Sequence, residues 1–67
     1  MNTFKELTLL PVVIEIHEIS NGRKMFGLKY GQGVVAHMLG MKRKEVIGAL
    51  DWADANNEEA EKILLER

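Results

Sequence analysis

Cysteine is absent from this 67-residue chain, and proline occurs once, at Pro11. Without thiols there is no disulfide framework, no thiolate zinc site and no thiol nucleophile. A chain this short then has only one small apolar core to hold it, and association with a second copy is the natural remedy. Long apolar runs are also missing: nothing approaches the roughly 18–20 residues that span a bilayer. The opening Met1 to Glu6 lacks the basic-then-apolar pattern of a secretion signal, so a cytoplasmic location without membrane association is expected. Aromatic residues make up only 6% of the chain. A domain of this size buries about 60% of the surface its unfolded form exposes, which leaves no room for a second domain or a large enclosed active site. Most small-molecule enzyme architectures are thereby excluded.

What is present is charge, and it is segregated. The formal net charge is −1, but the segment from 20 to 44 carries Arg23, Lys24, Lys29, Lys42, Arg43 and Lys44 and no acid. The last third carries Glu45, Asp51, Asp54, Glu58, Glu59, Glu61 and Glu66 against Lys62 and Arg67. Screening confines each charge to a reach of roughly 8–10 Å, so a nearly neutral protein can still present a basic face to a polyanion. Solvated cations on a hairpin turn and a helix end are the plainer explanation of the same residues.

Thr3 and Glu6 have capping-box spacing ahead of Leu7, Leu9 and Leu10, which predicts a short helix stopped by Pro11. Val12 to Ile19 is β-branched, and from Ile14 it alternates Ile14, Ile16, Glu18 with Glu15, His17, Ile19, the pattern of a strand. Asn21-Gly22 then supplies two residues that tolerate the positive φ of a tight turn, with Lys24 to Tyr30 as the return strand. Such a hairpin is marginal alone, and its edges need cover from the rest of the chain or from a second subunit. From Gln32 the period becomes helical: one helix over 32–39, a second over 42 to about 55 beyond Gly40, and a last one over 58–66. That last helix is capped by Asn57 and buries Ala60, Ile63 and Leu64. Met25, Met38 and Met41 read as core filling, with a pliable interaction surface as the lesser use. Trp52 lies off the main apolar stripe, where it packs on a neighbouring element or anchors a partner.

The stretch from Gln32 to Leu50 carries the strongest functional signal. Ala36 is the small residue that two steeply crossing helices need at their closest approach, Gly40 is the turn, and Val35, Leu39, Met41, Val46 and Ala49 fall on the inward side. Together with the approach Tyr30-Gly31-Gln32, this resembles the helix-turn-helix of the phage Cro and repressor class. The resemblance covers residues 30–50. The chain departs from that class in placing a hairpin, rather than a helix, ahead of the motif. The resemblance implies that the second helix enters the major groove while the first crosses the phosphate backbone. It places Lys42, Arg43 and Lys44 at base or phosphate contacts, and Gln32 at a phosphate. Ile47 falls on the same face, where it touches a thymine methyl or serves as a core or protein contact. Glu45, Asp51 and Asp54 stand on that helix too, with Asp51 and Asp54 well beyond the groove-facing end. Arg23 and Lys24 on the hairpin turn would add backbone contacts as a wing does.

Other signals are weaker. Gly31 to Ala36 satisfies a glycine-rich dinucleotide fingerprint, but a second helix follows where that site requires a parallel strand. His17 and His37, with Glu15 or Glu18, lack helical metal-ligand spacing. No acid–base or nucleophilic constellation stands out, so neither enzyme activity nor a cofactor is expected. The sequence thus predicts an α+β protein: a hairpin at about 12–30, a helix-turn-helix at about 32–55 and a terminal helix at about 58–66. It predicts a homodimeric, repressor-like regulator that binds double-stranded DNA through Gln32, Lys42, Arg43, Lys44, Ile47, Arg23 and Lys24. The rival is a small module or inhibitor, phage-encoded in kind, that blocks a host protein with its acidic third, Trp52 and Ile47.

Overall fold

The computed structural model describes residues 3–10 and 13–66. The chain is a mixed α+β domain with the order α1 (Thr3–Leu7), β1 (Ile14–Ser20), β2 (Arg23–Leu28), α2 (Gln32–Leu39), α3 (Arg43–Ala55) and α4 (Asn57–Glu66). Asn21 and Gly22 both have positive φ, 51° and 76°. That pair of angles is the type I′ geometry whose twist matches a right-handed two-stranded ribbon. The strands pair antiparallel with Ile16 opposite Phe26 and His17 opposite Met25, and the register shifts between Glu18 and Ser20. The regular strands are shorter than the expected 12–30. One further ladder bond joins the Lys29 N–H to the Val13 carbonyl at 2.9 Å, and Val12 lies outside the described residues.

The core is assembled from every element: Phe4 and Leu7 of α1, Val13, Ile14 and Phe26 of the hairpin, Val35 and Ala36 of α2, Val46, Ala49 and Ala53 of α3, and Ala60 of α4. Four of these eleven are alanines, which lets helices of a small domain approach closely enough to fill it with few large side chains. Phe4 is its hub. Its ring meets Phe26 edge-on at 5.5 Å and Trp52 in a tilted arrangement at 6.0 Å, both within the range of favourable aromatic pairs. Trp52 is therefore a packing residue, seated on α1.

Three expectations need correction. α1 ends at Leu7 instead of running to Pro11, so Leu9 falls past the helix and is 72% exposed, while Phe4 takes the buried position. Met25 and Met38 are half exposed and fill no core; of the three methionines only Met41 packs against it. Asn57 opens α4 without capping it. Its Oδ1 accepts the Lys24 N–H at 2.7 Å, and its Nδ2 donates to the carbonyls of Ala53 and Asp54. The Asp54 carboxylate likewise accepts the Phe26 N–H at 3.1 Å. Together Asp54 and Asn57 occupy the outer edge of β2, the cover that a two-stranded sheet requires.

Candidate nucleic-acid interface

The connection between α2 and α3 is built by Gly40, whose φ of 68° is left-handed. The Met41 N–H returns to the Ala36 carbonyl at 2.8 Å and the Gly40 N–H to His37 at 3.3 Å. This is the six-to-one and five-to-two pairing that closes a helix around a C-terminal glycine. It turns the chain sharply enough for Val35 and Ala36 to bury against Val46 and Ala49. Residues 42 to 44 are thereby delivered to the surface.

α3 opens at Arg43, with Lys42 as its N-cap residue. A lysine side chain has no acceptor and cannot cap a helix by itself. The reciprocal half of a capping box is present instead: the Glu45 carboxylate accepts the Lys42 N–H at 2.9 Å. Glu45 is thus folded back on the first turn of its own helix, its carboxylate occupied by a backbone N–H. Lys42, Arg43 and Lys44 are exposed, and among the described residues none of them forms an ion pair.

The start of α2 lies beside the start of α3. The Arg43 stem passes 3.9 Å from where a Cβ would stand on Gly33. α2 has no side-chain cap and no acid in its first turn. Two helix N-termini, each with unsatisfied N–H groups and a positive dipole end, therefore adjoin three unpaired cations. Gln32 is half-buried at this junction and Ile47 is 40% exposed one turn further along α3, which removes the core assignment for Ile47. Gly48 beside it faces open space.

The structure separates two predicted site residues from this cluster. The Arg23 guanidinium donates to the Asp54 carbonyl at 3.1 Å, and Lys24 is ion-paired with Glu61. Asp54 is close to the C-terminal end of the 13-residue α3, about 18 Å along the helix from Lys42. The hairpin turn cannot share a face with the 42–44 cluster, because its backbone is pinned by Asp54 and Asn57 at the opposite end. The hollow there, about 250 Å³ in volume and lined by Asn21, Arg23, Asp54, Glu58 and Glu61 among others, has acidic walls and is unsuited to a polyanion. Asp54, which the sequence placed on the same helix well beyond its groove-facing end, holds the hairpin there.

The remaining sequence signals are dispersed. His17 lies 3.5 Å from Glu15 on the outer face of the hairpin, and His37 stands on α2. The Gly31–Ala36 stretch opens a helix after a strand, but the sheet is a lone antiparallel pair, so the parallel βαβ crossover of a dinucleotide site is not formed. No described helix is long and apolar enough to cross a membrane. The sequence pattern assigns Val34 and Tyr30 no surface role and makes Met38 chiefly core: Val34 and Met38, one turn apart on α2, are each 53% exposed, and Tyr30, just ahead of the helix, is 50% exposed. Comparison with protein-family models, with curated proteins and with solved structures finds no significant match.

Proposed function

We propose that this protein is a homodimeric, sequence-specific regulator of the repressor type that binds double-stranded DNA with the α2–turn–α3 unit as a helix-turn-helix. The observation that carries the reading is the unpaired Lys42, Arg43 and Lys44 at the exposed start of α3, against the uncapped start of α2. In this arrangement α3 lies in the major groove with its first turn at the base edges, and α2 meets the phosphates through Gln32 and its free N–H groups. Arg43 suits guanine O6 and N7 as a bidentate donor, and Lys42 and Lys44 suit phosphate or guanine as point charges. Ile47 supplies an apolar contact for a thymine methyl. Arg23 and Lys24 are left out of the contact set because their side chains are tied to Asp54 and Glu61, away from the start of α3.

The test is selection from a random duplex pool followed by anisotropy at two salt concentrations. A recovered motif and an affinity that falls steeply with salt support the reading. The Arg43→Ala protein is expected to lose about 1–3 kcal/mol of binding free energy and to relax the preference at one base pair. Retention of full affinity by that variant removes the main support. A second reading is favoured by the exposed Val34 and Met38 of α2 and Tyr30 just ahead of it: a small module that docks a protein partner along α2. Absence of DNA binding at about 50 mM salt, where even non-specific contact is detectable, selects that reading.

A further inference from the structure

β1 is the open edge of the sheet, and its backbone polarity follows from the way β2 is held. Neighbouring residues of an antiparallel pair point their N–H and C=O groups alternately toward and away from the partner strand. The N–H groups of Lys24 and Phe26 leave the hairpin for the side chains of Asn57 and Asp54. Their cross-strand partners Glu18 and Ile16 therefore direct N–H and C=O outward from β1. Among the described residues nothing meets them. The same strand carries exposed apolar residues: Ile16 is 46% and Ile19 54% exposed; Met25, opposite His17 on β2, is 48% exposed.

We propose that β1 pairs antiparallel with β1 of a second copy across a two-fold axis at Ile16, making one four-stranded sheet. The register is chosen by charge. An axis at Glu15 or at Glu18 sets that carboxylate against its own copy, and an axis at His17 sets imidazole against imidazole. An axis at Ile16 sets Ile16 against Ile16 and places Glu15 of each copy opposite His17 of the other. Imidazole N–H donates to carboxylate there, in a non-hydrogen-bonded pair where side chains are closest. The 3.5 Å approach of His17 to Glu15 within one chain shows that both groups already share that face. Four strands also bring the ribbon past the size at which a sheet is stable in water. This deepens the dimeric part of the proposed function and requires no DNA, so the two fail separately.

The experiment is sedimentation of the full chain without DNA, together with two single-cysteine variants, which the cysteine-free background makes unambiguous. A dimer is expected, and Ile16→Cys is expected to oxidise to a covalent dimer, because facing Cα atoms in that pair stand about 5.5 Å apart. His17→Cys is expected not to cross-link, its copies being diagonal neighbours about 7–8 Å apart. Glu15→Lys is expected to raise the dimer dissociation constant about tenfold, since two symmetry-related pairs are lost at once. A monomer at about 100 µM overturns the dimer, since even weak micromolar association is visible there. Cross-linking through residue 17 but not 16 overturns the register.

Discussion

Gly48 stands in the middle of α3 on its solvent side, where no atom lies within 4 Å of the place a Cβ would occupy. Packing does not require glycine there, and glycine in an exposed helix interior costs about 1 kcal/mol relative to alanine. Gly48→Ala is accordingly expected to stabilise the fold by about that amount, raising the thermal midpoint by roughly 4–8 °C, as calorimetry would show. In the proposed function this side of α3 meets the groove, where an added Cβ would hold the helix away from base edges, so the same variant is expected to bind DNA more weakly. Increased stability with unchanged binding would place Gly48 outside the interface. Gly40 is the opposite case. Its φ of 68° is a conformation that a side chain strains by about 1–2 kcal/mol, and Gly40→Ala is expected to lower the urea midpoint accordingly. Asn at this position should recover part of the loss, because it tolerates the left-handed region better.

At the scale of elements, the hairpin is tied to the helices by two side chains from the α3–α4 junction. Asn57 makes three hydrogen bonds, one to the β2 edge and two back to the end of α3, and Asp54 makes the neighbouring edge bond. Asn57→Ala leaves the part-buried Lys24 N–H without its acceptor, and is expected to destabilise the domain by about 1–3 kcal/mol. Hydrogen exchange should show the loss concentrated in β2. Asn57→Asp keeps the acceptor and should cost less, which separates the edge bond from the two that Nδ2 donates. The existence of the elements was legible in the chain: Asn21-Gly22 has only one common use between two apolar runs, and Gly40 interrupts a helical pattern at its left-handed turn. The role of Asn57 was not legible, because a capping residue and an edge-strand acceptor look alike until a strand distant in sequence is placed beside them.

For the whole molecule, the proposed dimer constrains the DNA that is recognised. Two α3 helices related by one axis read half-sites whose centres are about 34 Å, or 10–10.5 base pairs, apart. A selected motif is therefore expected to be palindromic with that spacing, and inserting about five base pairs between the halves, half a helical turn, should abolish tight binding. Sites recovered as single, non-repeated motifs would dissociate DNA reading from dimerisation. Charge is also distributed at this scale. The cations of residues 42–44 stand at one end of α3, while near its other end Lys24 is ion-paired with Glu61 and Arg23 is hydrogen-bonded to the Asp54 carbonyl.

Local chemistry in the sequence was enough for the α+β class, the turn at Asn21-Gly22, the helix over 32–39, and an α3 that buries Val46 and Ala49 while exposing Lys42 to Lys44. Each of these depends on residues within a few positions of one another, where periodicity and backbone preference dominate. Tertiary structure alone decided that Phe4 rather than Leu9 fills the core, that Met25, Tyr30, Val34 and Met38 face solvent, and that Arg23 and Lys24 are withdrawn from the basic cluster. It also decided which strand edge is covered. Those outcomes turn on contacts between residues some 20 to 50 positions apart, and burial there is set by which element arrives as the partner, a quantity that no local pattern encodes.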